Sequence, residues 1–397
     1  MTTHRTSRRA ALGLIGAGGL LAVNTMPKAA EAGDRAPGKP VPADLLPGGA
    51  LDRLIAQRAA ADQYSGTYLL LRNGRPVLSR SYGMADRSRS LPNKPDTIFG
   101  LGSITKMFTG IAVSQLVQQG KIAYHEKLGT YLDGFPAEVA GTVTVHQLLT
   151  HTSGMGDIYG PVNGPVIQGW SSEAEVTAGL LRLVRKAPLG FPPGTSHVYS
   201  NAGYVTLQFI VAAVSGQTFY DFVRRHVFRA AGMTSTDFYD RDQCRSSRRI
   251  AHPYAPQDPR AGGPRVDHLE RVEFLGNGAG GAYSTAADLV AFMTALTGNK
   301  LLDARHTWLA TSPKNPVPPQ GPPPAGKPPQ FLFGCYGPSA TLTGGHWILG
   351  HNGGSSNGVS TDLAWYPDDG YLAIDLCNYE GGITRDVDSL CKQLITR

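Results

Sequence analysis

Ser103 and Lys106 have the residue types and the spacing that nucleophilic catalysis requires. A serine hydroxyl is a poor nucleophile at neutral pH and needs a base within hydrogen-bond reach. Residues three apart at the start of a helix share one face, so the lysine amine can approach the serine hydroxyl. The positive end of the helix dipole favours a neutral lysine, which could accept the serine proton. The pair therefore predicts a covalent acyl-transfer site.

Two further segments supply groups that such a site needs, and they matter because Ser-x-x-Lys alone is a weak signal. Ser389 and Lys392 repeat the spacing without supporting context. A Tyr-Ser-Asn triplet at 199–201 precedes a predicted helix, and a His-Asn-Gly triplet at 351–353 leads into a predicted strand. Each triplet alone is more typical of packing or capping. Their order along the chain favours one shared site.

The three elements together resemble the signature motifs of the penicillin-recognising serine hydrolases. This family contains serine β-lactamases, D-Ala-D-Ala carboxypeptidases, and, in the branch with a Tyr-x-Asn motif, esterases and D-amino-acid peptidases. Three other stretches also match: Leu-Leu-Thr-His-Thr-Ser-Gly-Met at 148–155, Ala-Ala-Gly-Met at 230–233 and Gly-Gly-Ala-Tyr-Ser-Thr-Ala-Ala-Asp-Leu at 280–289. The resemblance extends from about residue 50 to residue 397.

The resemblance implies a role for each matching position. Ser103 would be the nucleophile, Lys106 would assist its deprotonation, and Tyr199 with Lys106 would act as general base and acid. The substrate-binding residues that it implies are Asn201, His351, Asn352 and Gly353. The backbone N–H groups of Ser103 and Gly354 would form the oxyanion hole.

The third motif departs from the family pattern in a way that bears on the substrate. Asn352 stands where Thr or Ser is common, and position 351 is His and not Lys. In the family that hydroxyl commonly helps to hold the carboxylate of penicillins and peptides. The sequence therefore favours esters first, then D-Ala-D-Ala peptides, over β-lactams. A β-lactamase and a non-hydrolytic penicillin-binding or sensor protein remain alternatives.

A second nucleophile motif, Gly-x-Ser-x-Gly at 354–358, would place the reactive serine at Ser356. The nucleophile elbow of α/β-hydrolases needs a strand before it and a helix after it. Residues 359–366 have a strand pattern, so the elbow is not expected here.

The secondary-structure pattern places strands near both ends of the chain and helices between them. Strands are predicted at 67–71, 76–82, 331–336, 358–366 and 371–378, and helices at 51–63, 104–117, 176–185, 202–215, 219–231, 286–296 and 384–395. Residues 313–329 contain nine prolines and are predicted to form an extended loop. This order predicts an α+β fold, with an antiparallel sheet built from both chain ends, flanking helices and an inserted helical lobe.

The first 32 residues are predicted to be a removable targeting signal. A basic stretch at 5–9 precedes an apolar run at 10–23, and Ala-Glu-Ala at 30–32 offers a cleavage site. The arginine pair indicates a twin-arginine signal, although Ala11 departs from that pattern and an ordinary secretory signal is the alternative. We therefore expect a periplasmic or secreted protein.

The remaining chain is predicted to be a linker, 33–44, and one domain, 45–397. Within that domain an α/β lobe, about 45–110 and 280–397, would enclose a helical lobe of about 111–279. Removing residues 1–32 lowers the net charge from +7 by three, to +4, which argues against a dedicated nucleic-acid binder.

The four cysteines form no Cys-x-x-Cys pair, and the sequence has no metal-ligand cluster, phosphate loop or cofactor fingerprint. We therefore expect no metal and no cofactor, and a small-molecule ester, peptide or β-lactam substrate. Cys335 and Cys377 could form a disulfide if the predicted strands bring them together, or they could be buried thiols. The sequence leaves the oligomeric state open.

Overall fold

The structure is a computed structural model that describes residues 40–160, 163–258, 262–319 and 329–397. The predicted signal at 1–32 and the first seven residues of the predicted linker lie outside the described residues. The last part of that linker is not wholly extended, because Ala43–Leu45 forms a short 3-10 helix that buries Leu45.

The described chain forms strands and helices in separate stretches. The strands are β1 (Gly66–Arg72), β2 (Arg75–Tyr82), β3 (Met84–Asp86), β4 (Leu91–Pro92), β5 (Phe99–Gly100), β6 (Tyr254–Asp258), β7 (Gly262–Asp267), β8 (Tyr283–Ser284), β9 (Asn315–Val317), β10 (Gln330–Gly334), β11 (Ser339–Thr343), β12 (His346–Ser355), β13 (Val359–Tyr366) and β14 (Tyr371–Cys377). The helices are α1 (Ala50–Ala60), α2 (Thr105–Gln118), α3 (Ala137–Thr142), α4 (Val145–Leu149), α5 (Gly164–Gln168), α6 (Glu173–Lys186), α7 (Asn201–Ser215), α8 (Phe219–Val223), α9 (Arg229–Ala231), α10 (Arg241–Ser246), α11 (Ala286–Thr297), α12 (Ala304–Thr311) and α13 (Arg385–Ile395).

One eight-stranded antiparallel sheet dominates the fold, in the order β2-β1-β14-β13-β12-β11-β10-β9. A hairpin turn at Asn73 and Gly74 joins β1 to β2, and both residues have positive φ. Strand β1 pairs along its whole length with β14, so strands from the two halves of the chain lie side by side as the second and third strands of the sheet. The predicted α+β fold, with a sheet built from both chain ends, is confirmed.

Each face of the sheet is covered by helices. Leu51 of α1 and Val387 of α13 are buried with Tyr68 of β1 in one core cluster. The opposite face contributes Ile374 of β14 to a larger core that contains the central helices. Helix α2 is buried from Thr105 to Leu116, as expected for a helix that is enclosed on all sides. The residues that begin α2 therefore have a fixed position relative to the sheet.

The structure differs from the predicted elements in several places. The predicted helix 219–231 is interrupted by a π-helical turn, Arg224–Phe228, between α8 and α9. The proline-rich segment contains a short edge strand, β9, and its residues 320–328 lie outside the described residues. Strand β12 begins at His346, so the third motif lies within a strand and not merely before one.

The four cysteines are buried free thiols, so the alternative of a disulfide between Cys335 and Cys377 is wrong. Cys335 lies in a small cluster with Ala340 and Leu349, whereas Cys377 lies in the core beneath α1 and α13. No helix in the described ranges has the length and apolar character needed to cross a membrane.

Candidate active site

The first motif lies where a short 3-10 turn, Gly102–Ile104, leads into α2. Gly102 has a φ of +53°, and a Cβ added to it would lie 3.0 Å from the backbone nitrogen of Gly354. Only glycine accommodates both the positive φ and this close approach. The approach places the backbone of β12 directly beside Ser103.

Lys106 is fully buried and is surrounded by acceptors. Its Nζ lies 3.2 Å from Ser103 Oγ, 2.8 Å from Asn201 Oδ1 and 2.6 Å from the carbonyl oxygen of Ala279. A charged ammonium would donate to all three acceptors. A neutral amine has two N–H donors, which suffice for Asn201 and Ala279, and leaves its lone pair directed at the Ser103 hydroxyl.

The pKa of Lys106 is lowered to about 7, mainly because burial disfavours the ammonium. The carboxylates of Asp157 and Glu273 act in the opposite direction. The sequence argument attributed a neutral lysine to the helix dipole, whereas the structure gives desolvation as the main cause. A pKa near neutrality is what a general base at this position requires.

Tyr199 lies in the loop before α7, with its ring beside Lys106. The Lys106 Nζ is 4.7 Å from the centre of the Tyr199 ring, and the Ser103 side chain is close enough to the phenol to affect its pKa. The residue is 43% exposed, so solvent reaches the ring. Burial of the phenol raises the pKa of Tyr199 to about 12, with the contact to Ser103 lowering it. At neutral pH the phenol is therefore protonated and can donate a proton.

Asn201 begins α7 directly after Ser200, whose side chain caps the helix by accepting from the Gly203 N–H. This cap explains why the Tyr-Ser-Asn triplet ends a loop and starts a helix. The Oδ1 of Asn201 accepts from Lys106, and its Nδ2 donates to Asp157 at 3.1 Å. The Asn201 amide thus links Lys106 to Asp157 through two hydrogen bonds.

The third motif lies on β12 with its residues alternating between the two sides of the strand. His351 is buried, and its ring centre lies 6.3 Å from that of Tyr199. Burial and nearby Lys106 lower the pKa of His351 to about 4, so the imidazole is neutral at physiological pH. Asn352 is exposed. A Cβ on Gly353 would lie 2.0 Å from the Leu101 carbonyl oxygen, so glycine is required for β12 to approach the start of α2.

A cavity of about 490 Å³ opens onto part of this site. Ser103, Asn201 and Gly354 line it, so both backbone segments predicted to form the oxyanion hole face the same space. Ser356, the nucleophile of the competing motif, also lines the cavity but lies between β12 and β13 with no helix after it. The structure therefore brings the first, second and third motifs together and does not build a nucleophile elbow.

Sequence reasoning assigned no role to two residues of this site. His151, within the matching stretch 148–155, is buried and stacks on Tyr199 with ring centres 4.5 Å apart. Glu273 lines the cavity, and burial raises its pKa to about 7. The matching stretch could have pointed to His151, but Glu273 lies in no motif that the sequence displayed. Within the described ranges, no three or more His, Cys, Asp or Glu side chains are arranged to hold a metal ion.

The fold and the Ser-Lys-Tyr arrangement define a serine-nucleophile enzyme class with a helix-borne Ser-x-x-Lys motif. The Beta-lactamase family model matches residues 51–389. The chain therefore belongs to the Beta-lactamase family, and the resemblance to these serine hydrolases is confirmed.

Individual relatives agree with this assignment. PbpX of Bacillus subtilis (strain 168), named after penicillin binding, is 32% identical over 238 residues, which are 60% of this chain and 56% of that protein. Esterase EstB of Burkholderia gladioli is 31% identical over 206 residues, 48% of this chain and 50% of EstB. The chain thus spans about half the length of these curated relatives. The crystal structure of a penicillin-binding protein from Bacillus halodurans has a TM-score of 0.72 at 29% identity, covering 85% of this chain and 98% of that one.

Proposed function

We propose that this protein hydrolyses an ester or peptide carbonyl through an acyl-enzyme on Ser103. One observation carries the proposal: a fully buried lysine with a pKa of about 7 lies 3.2 Å from the serine hydroxyl. Its other two hydrogen-bond partners, Asn201 and Ala279, are acceptors only at the contacting atoms. The lone pair of the neutral amine is therefore left to accept the proton of the Ser103 hydroxyl.

In the proposed acylation, Lys106 accepts the Ser103 proton as Oγ bonds to the substrate carbonyl carbon. The carbonyl oxygen becomes an oxyanion and accepts from the backbone N–H groups of Ser103 and Gly354. The Tyr199 phenol then donates its proton to the leaving group and is reprotonated through Lys106. Water attacks the acyl-enzyme in the second half, giving a proton back along the same route and releasing the acid product.

Two features support esters and peptides over β-lactams. The third motif offers a neutral His351 and an exposed Asn352 where many relatives offer a cation and a hydroxyl. A β-lactam carboxylate would therefore find no cation on β12 at this motif. D-Ala-D-Ala-type peptides are the second candidate substrate, because Arg271 lines the cavity and has no ion-pair partner among the described side chains, so it could hold a terminal carboxylate.

Export is a further part of the proposal. The basic stretch 5–9, the apolar run 10–23 and the small-residue site 30–32 support it. Fractionation of cells that express the full chain, with sequencing of the mature amino terminus, tests it. Retention of the complete chain in the cytoplasm would contradict export without affecting the proposed chemistry.

The catalytic proposal is tested with a panel of p-nitrophenyl acetate, p-nitrophenyl butyrate, a D-Ala-D-Ala peptide and a chromogenic cephalosporin. Ser103→Ala and Lys106→Ala should each abolish turnover of the preferred substrate. Ser389→Ala is the matched control, because Ser389 has the same spacing to a lysine but is exposed on α13. Full activity in Ser103→Ala would contradict the proposal. Stable labelling of Ser103 by a fluorescent penicillin without turnover of any substrate would favour the sensor alternative.

A further inference from the structure

Glu273 places an unpaired acidic group in the wall of the catalytic cavity. Its Oε2 accepts from Asn277 Nδ2 at 3.0 Å and from the Tyr159 hydroxyl at 3.5 Å. Its Oε1 has no hydrogen-bond partner among the described side chains and backbone groups. No Lys, Arg or His in the described ranges lies within ion-pair distance of it. One oxygen is thus held by the protein and the other is available to a ligand.

The position of Glu273 relative to the nucleophile is fixed by a short chain of hydrogen bonds. Asn277 donates to Glu273 and accepts from the backbone N–H of Ala279 at 2.9 Å. The carbonyl of Ala279 in turn accepts from Lys106 at 2.6 Å. The carboxylate is therefore connected through Asn277 and Ala279 to Lys106 and lines the same cavity as Ser103, where it can contact a bound substrate.

We propose that Glu273 binds the ammonium group of an α-aminoacyl substrate: an amino-acid ester or amide, or a peptide with a free amino terminus. The proposal rests on the serine-hydrolase function proposed above and specifies its substrate class. A partly buried carboxylate that lacks a cation gains most from one that arrives with the ligand, because charge-assisted hydrogen bonds are stronger in a desolvated site. The protein itself supplies only neutral donors, Asn277 and Tyr159, to the other oxygen.

Arg271 adds a positive charge to the cavity wall that contains Glu273. It lies two residues before Glu273 and lines the same cavity, but the two side chains form no ion pair with each other. An ammonium group is attracted to Glu273 and repelled by Arg271, so the two charges together orient an amine-bearing substrate.

A purely structural role for Glu273 makes a different prediction. If the carboxylate served only to hold Asn277, and through it the Ala279 carbonyl, its loss would slow all substrates equally. A specificity role slows only substrates that carry the positive charge. Glu273→Gln separates the two, because the amide keeps an oxygen that can accept from Asn277 while losing the negative charge.

The test compares alanine methyl ester with N-acetylalanine methyl ester, in both enantiomers, by following acid release in a pH-stat. The wild-type protein should prefer the free amine in kcat/KM by about 10–100-fold, the range of one charge-assisted hydrogen bond. Glu273→Gln should bring that ratio close to one, mainly by raising KM for the free-amine ester. Arg271→Gln removes the opposite charge from the same wall and should keep or raise the ratio.

A binding measurement makes the inference independent of turnover. Calorimetric titration of Ser103→Ala with alaninamide and with N-acetylalaninamide should show tighter binding of the charged amide, and the difference should disappear in Ser103→Ala/Glu273→Gln. Ser103-dependent turnover of p-nitrophenyl acetate without any preference for the amine would overturn the inference and leave the proposed function intact. If no substrate is turned over, the proposed function fails, and equal binding of the two amides would overturn the inference as well.

Discussion

The backbone N–H of Ser200 donates a 3.0 Å hydrogen bond to Nδ1 of His151, so the second motif is anchored to a buried imidazole. The carbonyl of His151 also accepts from the Val198 N–H, and its ring stacks on Tyr199. The pKa of His151 is well below its ordinary value, because of burial and nearby Lys106, so the ring stays neutral. His151 thus holds the Tyr199 loop through three contacts, and we interpret it as a positioning residue.

Replacing His151 should therefore impair chemistry more than folding. We expect His151→Ala to lower kcat about 10–100-fold, because a displacement of about 1 Å in a catalytic group has effects of this size. KM should change little. Steady-state kinetics together with thermal unfolding separate the two effects. His197→Ala is the control: its ring contacts only the edge of the His151 ring, at 5.9 Å between centres, and its loss should be much milder.

The reaction rate should rise with pH through about 7. In the proposed mechanism the neutral form of Lys106 accepts the serine proton, and that form dominates above its pKa of about 7. A pH profile of kcat/KM should therefore show an acid limb near pH 7, and Lys106→Arg, which stays charged, should be inactive. A profile that is flat between pH 5 and pH 9 would contradict the assignment of Lys106 as the base.

The acid limb of the kcat/KM profile should move when the negative charge of Glu273 is removed. Glu273 raises the pKa of Lys106 through its negative charge, against the larger effect of burial. In Glu273→Gln the acid limb measured with p-nitrophenyl acetate should shift to lower pH. A shift to higher pH would show that the carboxylate does not act on Lys106 in this way.

Gly353 should tolerate no side chain. A Cβ there would lie 2.0 Å from the Leu101 carbonyl oxygen and 2.5 Å from Thr361 Oγ1. We expect Gly353→Ala to reduce the free energy of unfolding by about 1–3 kcal/mol, a typical effect of overpacking, and to displace β12 from Ser103 with loss of activity. Gly141→Ala is the control, since that position in α3 has open space around it. Equal stability of the two variants in urea would refute the predicted clash.

Three neighbouring carboxyl groups between the sheet and α13, one buried and two half-buried, should make stability depend on pH. Asp362 and Asp375 are register partners on β13 and β14, and Asp388 of α13 is close enough for both charges to raise its pKa. The Oδ2 of Asp375 lacks a donor unless the two carboxyl groups share a proton. Burial raises the pKa of all three groups, that of Asp362 to about 6.

The direction of this pH dependence follows from the linkage between protonation and folding. The unfolded chain releases these protons near pH 4, whereas the folded chain retains them to higher pH, for Asp362 to about 6, so the contribution of these groups to stability is greatest at low pH and falls as pH rises through this window. Asp362→Asn should raise the free energy of unfolding at pH 8 by about 2 kcal/mol relative to its effect at pH 4. Asp133→Asn, at an exposed position, is the control. Urea unfolding at both pH values measures the difference, and an unchanged pH dependence in Asp362→Asn would contradict the account.

The Ser-x-x-Lys motif and the core helices could be predicted from the sequence because both depend on local spacing. The Ser103–Lys106 pair and the apolar period of α2 are properties of one helix, and the structure places both as expected. Strand β12 was predicted poorly, because its second half is rich in Gly and Asn, which disfavour strands. It is extended because β11 and β13 pair with it on either side.

The parts of the site that were missed depend on long-range contacts. Glu273 reaches the cavity only because the segment that follows it folds back to present Ala279 to Lys106. The pKa of Lys106 depends on complete burial, which local spacing does not reveal. The disulfide alternative failed for a similar reason, because Cys335 and Cys377 belong to separate core clusters.

The pairing of β1 with β14 has a consequence for the newly made chain. Strand β1 meets its partner only after residues 371–377 have left the ribosome, and β12, which supplies Gly354, is also made late. Contacts between such distant segments form slowly, because a long loop must close first. Ser103 and Lys106, at the start of α2, are thus synthesised early but gain their full surroundings only after β12 and β14 have been made, so a nascent chain that ends before β12 holds the proposed nucleophile without the groups needed to use it.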